Sequence, residues 1–277
     1  MPKLVDCVTY LDEDLLLELR LNTLNSYVDK FIIVEAKQTH QGNKKKLNFN
    51  INNFKKFKKK MEYYIKDDLN YDEYKLEKKF FNDDSTEDWA RENSQRNYLQ
   101  KAIKKYHSDD LIMISDVDEI PRLEHFKMEG TFKRFFLFEQ DLFYYKFNLK
   151  SNLKSNLKTI GTRLCKKKYL VAPQQLRDLY PKRKLFYNLR NFIKVIKNGG
   201  WHFSYLKSMY GISKKLNQFA HREYNQSKFK SYLNIKKAIS QQVDLFGRDM
   251  IFTKVDLDNS FPNYLVDNKK RFKKWIL

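Results

Sequence analysis

Residues Leu111 to Pro121 read Leu-Ile-Met-Ile-Ser-Asp-Val-Asp-Glu-Ile-Pro. Leu111 to Ile114 is an unbroken apolar run of the kind that a strand buried on both faces requires. It stops at Ser115, and Asp116, Asp118 and Glu119 follow at once. On extended backbone alternate side chains point the same way, so Asp116 and Asp118 project to one side. Carboxylates that close repel each other unless a cation sits between them. Pro121 then ends strand pairing. Open α/β sheets bind their ligands at the carboxyl ends of such strands. The stretch therefore reads as a divalent-metal site that receives a phosphate-bearing substrate. The other reading is an acidic turn to which Asp109 and Asp110 add solvated charge.

Upstream, Lys3 to Tyr10 alternates and predicts a first strand. Asp12 is the expected N-cap of a helix whose buried side carries Leu15, Leu16, Leu19 and Leu24. Phe31 to Glu35 is a second strand, and strand–helix–strand order predicts a parallel α/β sheet. Asp6 and Glu35 occupy strand positions from which a carboxylate reaches either a ligand or a neighbouring loop. Thr39 to Lys46 is a polar loop with a lone Gly42, without the glycine spacing of a phosphate-cradling loop. Phe54 to Lys60 is basic and amphipathic, Met61 to Ile65 reads as a third strand, and Asp67 to Asp84 as a loop. Ser85 or Thr86 is expected to cap a helix running to Lys105. Arg91, Gln95 and Arg96 lie near its start, where they would grip a diphosphate; a Glu92–Arg96 pair on a solvated face is the alternative.

Downstream, Phe132 to Leu149 is dense in aromatic residues and reads as core strands crossing the sheet, with Glu139 and Asp141 marking a turn. Ser151 to Thr159 predicts a surface loop, Thr162 to Val171 a strand, and Pro173 to Lys197 is basic without a clear pattern. In Asn198-Gly-Gly-Trp-His-Phe-Ser-Tyr205 the glycines permit close backbone approach to a ligand. Trp201 offers a flat face to a sugar, and His202 is a metal ligand, a proton carrier or a core histidine. If the segment is a strand, Trp201 and Phe203 point opposite to His202. Lys214 to Lys237 predicts a helix containing His221 and Glu223, and Gly247-Arg248-Asp249 a polar turn.

The chain of 277 residues is 42% hydrophobic and 16% aromatic, which excludes a disordered protein. It has no apolar stretch long enough for a membrane span and no signal-peptide core, so a cytoplasmic location is expected. Cys7 and Cys165 make neither a disulfide framework nor a zinc cluster, and buried free thiols are expected. With 55 Lys and Arg against 34 Asp and Glu, the net charge is +21. That charge fits anionic membrane, anionic substrates or nucleic acid. Equally, it fits a Lys-, Asn-, Phe-, Tyr- and Ile-rich composition of the kind an AT-rich genome produces.

The order of Arg91-Glu-Asn with Gln95-Arg-Asn97, Ser115-Asp-Val-Asp-Glu-Ile-Pro121, Gly200-Trp-His-Phe-Ser-Tyr205 and His221-Arg-Glu-Tyr-Asn225 resembles glycosyltransferase family 17, the β-1,4-mannosyl-glycoprotein β-1,4-N-acetylglucosaminyltransferase type. The resemblance runs from about Val5 to about Leu265. It implies an α/β, GT-A-like nucleotide-sugar-binding fold with a mainly parallel sheet and the Asp-x-Asp at a strand end. It further implies one domain: a nucleotide-binding half, 1–121, an acceptor-side half, 122–265, and a basic tail, 266–277. A UDP-sugar donor, an inverting transfer of N-acetylglucosamine and a Mn²⁺ or Mg²⁺ cofactor follow from it. Implied nucleotide-sugar-binding residues are Thr9, Glu35, Arg91, Gln95, Arg96, Asp116, Trp201 and His202. The implied metal ligands are Asp116, Asp118 and His202, and the candidate bases are Glu223, Asp249, Glu139 and Asp141. Without the anchor and stem of the animal enzymes, a lipid-linked or surface saccharide at the inner membrane face is the expected acceptor. The rival reading is a metal-dependent nuclease using Asp116, Asp118 and Glu119; a third is a basic surface-binding protein.

Overall fold

The computed structural model describes residues 2–68, 87–124, 126–128, 131–153, 159–181 and 189–277. Its centre is a parallel block. β1 (Leu4–Tyr10) lies between β2 (Lys30–Ala36) and β4 (Leu111–Asp116), with β3 (Met61–Lys66) beyond β2. Neighbours can run parallel only through crossovers, and α1 (Asp14–Leu24), the 3-10 helix at Ile51–Phe57 and α2 (Glu87–Asn97) with α3 (Leu99–Ile103) lie in them. Ile112, Met113 and Ile114 are fully buried, as the apolar run required.

Past β4 the direction changes. β8 (Thr159–Lys166) pairs antiparallel with β4, and β6 (Phe135–Tyr144) antiparallel with β8. The mainly parallel sheet expected from the sequence is thus a mixed one, with order β11-β7-β6-β8-β4-β1-β2-β3. The reason is local. After Pro121 the chain returns to the sheet without a long crossover helix before β6, and β7 (Leu149–Leu153) follows β6 after a short connection. Short connections produce antiparallel neighbours.

β6 is the seam of the molecule. Its first half pairs parallel with β9 (Ile193–Ile196) and its second half parallel with β10 (Gly200–Ser204). A register shift between Leu137 and Glu139 separates the halves. β10 also pairs antiparallel with β5 (Glu119–Pro121), while β11 (Met250–Lys254) closes the edge on β7. Glu139 and Asp141 therefore sit inside a strand rather than at a turn; Asp141 is accommodated by Lys150 of β7 at 2.9 Å.

Other sequence expectations are redrawn. Asp12 does not cap α1: Glu13 holds the cap position, and its carboxylate accepts from the amides of Leu11 and Asp12. The helix expected over 214–237 is broken into α5 (Met209–Leu216), a single helical turn at Ser227–Lys230 and α6 (Tyr232–Gln241), with His221 and Glu223 in the connection. Ser208 caps α5 through the Gly211 amide, and Gln242 ends α6 in the left-handed region. Ile212, Leu216, Ile235 and Ala238 share one core cluster, so a continuous apolar pattern spans a break in the backbone. Ser151 begins within β7, not a loop. The basic segment from Pro173 contains α4 (Pro173–Asp178), which starts on its proline. The expected caps Ser85 and Thr86, most of the Asp67–Asp84 loop, and residues 154–158 lie outside the described residues. Cys7 and Cys165 are buried free thiols, and burial pushes that of Cys165 up to about 12. Among the described residues, no helix is long and apolar enough to cross a membrane.

Gly199 and Gly200 serve packing rather than a ligand. Gly200 has φ +133°, and a Cβ there would overlap the Ile120 carbonyl oxygen and approach Arg122 N to 2.8 Å. The close approach is of β10 to β5. Gly200→Ala should therefore destabilise the fold by about 2–4 kcal/mol, through backbone strain added to overpacking. Denaturant unfolding measures this, and a loss below about 0.5 kcal/mol would contradict the tight β5–β10 contact.

Candidate functional site

The site begins with a buried arginine. Arg20 of α1 is fully buried and donates to both Asp6 oxygens at 2.6 and 2.7 Å. It also donates to the Glu119 carbonyl at 2.6 Å, the Ser115 hydroxyl at 2.9 Å and the Asp116 carbonyl at 3.3 Å. One guanidinium thus ties β1 and α1 to both sides of the β4–β5 turn. Asp6 is a scaffold residue.

Asp116 ends β4, opposite Thr9 of β1. Its two carboxylate oxygens receive Arg96 at 3.0 Å and Arg177 at 2.9 Å. Burial alone would raise its pKa, but Arg177 and then Arg96 outweigh burial and hold it well below the usual carboxylate range. Arg177 also pairs with the buried Glu119 at 2.5 Å, and Glu119 in turn accepts from the Asp116 amide.

Asp118 is placed by β10. The Phe203 amide donates to its carbonyl at 2.9 Å, and His202 stands in register with Glu119. Trp201 and Phe203 are buried on the other face, as alternation predicts, which turns His202 to the cleft. His202 Nε2 lies 3.7 Å from Asp118 Oδ1, and Lys215 Nζ of α5 lies 3.9 Å from Oδ2. Burial disfavours the charge on all three, but pairing prevails. Asp118 is held below its ordinary pKa, and His202 and Lys215 above theirs. His202 Nδ1 is buried and, among the described residues, has no hydrogen-bond partner.

These groups face one cleft of about 540 Å³. Thr9, Gln95, Arg96, Asp116, Asp118 and His202 line it. The other residues singled out from the sequence do not. Glu35 is consumed by the loop that follows it, accepting from Lys45, the Asn48 and Phe49 amides and Tyr63. Arg91 pairs with Glu87 and Asp88 and packs under Gly42. Trp201 is buried beneath Arg122, its indole N–H on the Ser260 carbonyl, because alternation sends it to the core side. Glu139, Asp141, Glu223 and Asp249 stand outside the lining.

Arg177, Arg163, Lys215, His40, His221, Tyr205 and Arg248 also line the cleft, and the sequence reading assigned none of them a role there. For Arg177 a signal existed: Pro173 marks a helix start, and the helix carries Arg177. Nothing local marks Lys215. Arg163 is buried; among the described residues no carboxylate pairs with it and its Nε has no partner. Burial, then the neighbouring Arg177, push it down to about 9. A cation so placed favours an incoming anion.

The geometry also bears on a metal ion. Among the described residues, no group of three or more His, Cys, Asp or Glu gathers as a metal cage. Ions of the Mg²⁺ type need no such cage, since one or two protein ligands suffice when substrate phosphates complete the shell. Two ligands about 2.1 Å from an ion stand roughly 3.0–4.2 Å apart. The 3.7 Å between Asp118 and His202 falls within that range. Asp116, with a guanidinium on each oxygen, is a poor direct ligand.

A family model described as Glycosyltransferase family 17 matches residues 1–276. No curated protein matches the chain. Among solved structures the chain is similar to glucosyl-3-phosphoglycerate synthase from Mycobacterium tuberculosis, in complex with Mn²⁺, UDP and phosphoglyceric acid. Identity is 11%, coverage 96% of this chain and 91% of that chain, and the TM-score 0.38.

Proposed function

The chain belongs to glycosyltransferase family 17, and from that premise we propose that its cleft moves a sugar, N-acetylglucosamine foremost, from a UDP-sugar to a saccharide acceptor with inversion. The observation that carries the reading is the pairing of Asp118 with His202 beside Arg177 and Lys215 in one cleft. This is a charge pattern for a diphosphate and its counter-ion.

Residues 1–121 form the nucleotide side in this reading, as a GT-A-like fold would arrange them. Thr9, His40, Gln95 and Trp89 line the wall that takes the nucleoside. Arg163, Arg177 and Lys215 take the diphosphate, and Arg96 fixes Asp116 against it. Residues 122–265 form the acceptor side, where Tyr144, Tyr205, Tyr224 and Arg248 offer faces and donors to a sugar. Asp118 and His202 would hold Mn²⁺ or Mg²⁺, His202 giving up its proton to bind through a ring nitrogen; bound there, the ion would neutralise charge developing on the leaving diphosphate. The net charge of +21 suits an acceptor at an anionic membrane face, such as a lipid-linked saccharide.

UDP should bind in Mn²⁺ and lose affinity at least tenfold when chelator removes the ion. Calorimetry measures both arms, and equal affinity with and without chelator would overturn the metal role.

A further inference from the structure

His40, His202 and His221 line the cleft, and their environments differ. His202 faces Asp118. His40 spends Nε2 on Gln95 at 2.8 Å and turns Nδ1 toward Glu92 at 3.7 Å. His221 bonds through Nδ1 to Glu223 at 2.6 Å, and among the described residues nothing bonds its Nε2. Its ring is fixed by Trp89, edge-on at 4.5 Å between centroids, and by Phe219 and Tyr224 at 5.4 and 5.7 Å.

The carboxylates of the cleft are otherwise engaged. Glu92 pairs with Arg96 at 2.8 Å, and Glu13 accepts from two backbone amides. Asp178 accepts from Gln174 at 2.9 Å. Asp116 lies between two guanidiniums, and Asp118 faces His202 and Lys215. Each is thus already turned to a partner within the fold. Glu223 is exposed, stands outside the lining and bonds to the lining residue His221.

We propose that His221 is the catalytic base of the transfer and that Glu223 is its positioning residue, an inference that rests on the transferase reading. With Glu223 accepting from Nδ1–H, the tautomer is fixed and the Nε2 lone pair is presented to the cleft, the arrangement of a histidine–carboxylate pair in acyl transfer. The acceptor hydroxyl gives its proton to Nε2 while its oxygen forms the bond to the anomeric carbon. The bond from that carbon to the diphosphate oxygen breaks, and its electron pair leaves with UDP. The proton on Nε2 is then released to water.

The test uses the full chain with UDP-N-acetylglucosamine and Mn²⁺, water standing in for the acceptor, and reads UDP release. His221→Ala and the bulkier His221→Gln should each lose about 100-fold or more in turnover. UDP affinity by calorimetry should be unchanged, and added imidazole should restore part of the activity of His221→Ala. Glu223→Gln should lower kcat less, with KM for the donor unchanged. Unaltered turnover in the His221 variants would overturn the role. So would a parallel loss of UDP affinity, which would make His221 part of the binding wall. If the unaltered protein binds no UDP in Mn²⁺, the transferase reading itself fails, and that outcome is visible before any variant is made.

Discussion

Asp118→Asn should leave a folded protein that no longer turns over its donor. The substitution keeps the side chain's shape and removes the charge that faces His202 at 3.7 Å and Lys215 at 3.9 Å. Metal-ion catalysis is worth several kcal/mol of charge stabilisation, so turnover should fall on the order of a thousandfold. UDP binding should lose its dependence on Mn²⁺ at the same time. The fold should survive because the turn is held by backbone: the Phe203 amide on the Asp118 carbonyl, and Arg20 on the carbonyls of Asp116 and Glu119. Calorimetry, a UDP-release assay and a thermal melt separate these effects. A variant that keeps its Mn²⁺-dependent affinity would move the metal elsewhere. Asp116→Asn should behave differently, because it removes the negative charge between the Arg96 and Arg177 guanidiniums, leaving Glu92 to the one and Glu119 to the other, and so costs stability as well as activity.

The largest loss of stability should come from Arg20→Ala. The guanidinium is fully buried, and removing it strands the Asp6 carboxylate, itself 1% exposed, and takes a donor from the carbonyls of Asp116 and Glu119. Breaking one side of a buried pair costs about 3–5 kcal/mol, which is a large share of the roughly 5–15 kcal/mol that holds a domain folded. Urea unfolding at neutral pH should show that loss, and a change under about 1 kcal/mol would mean that water or a neighbour replaces the pair. Pairing the change with Asp6→Leu should recover part of the loss, because the stranded charge is then gone. The folded remainder of Arg20→Ala should also be less active per molecule, since the turn bearing Asp118 has lost its anchor.

Much of this architecture was legible in the sequence. β1, β2 and β4 follow from apolar runs whose length admits little but buried strands, and the crossover helices between them imply parallel order. The alternation Trp201-His202-Phe203 sorts one cleft residue from two core residues. What escaped reading depends on contacts distant along the chain. Arg20 sits in a leucine-rich helix where a local rule places arginine at the surface, and only Asp6 of β1 together with the turn after β4 gives it reason to be buried. Glu139 and Asp141 looked like a turn because charge interrupts an aromatic run, yet Lys150 on the neighbouring strand makes the charge tolerable. Arg177 and Lys215 come from short helices on opposite sides of β10 in sequence, and no local pattern links either to Asp118. Trp201 looked like a sugar platform because its exposure was unknown; the strand that directs His202 to the cleft directs Trp201 away from it.

The placement of β10 has a consequence for synthesis. A ribosome emits the N-terminus first, and by the time residues up to Ile196 have emerged, the chain can assemble β1 to β4, β6, β8 and β9. Asp118 is then already at its strand end, but His202, Lys215 and His221 have yet to appear. The cleft gains His202 only when Gly200–Ser204 pairs with β5 and β6, after more than two-thirds of the 277 residues exist, and its lining is completed only by residues further on, as far as Arg248. A nascent or prematurely ended chain can therefore carry a well-formed sheet and still be chemically silent.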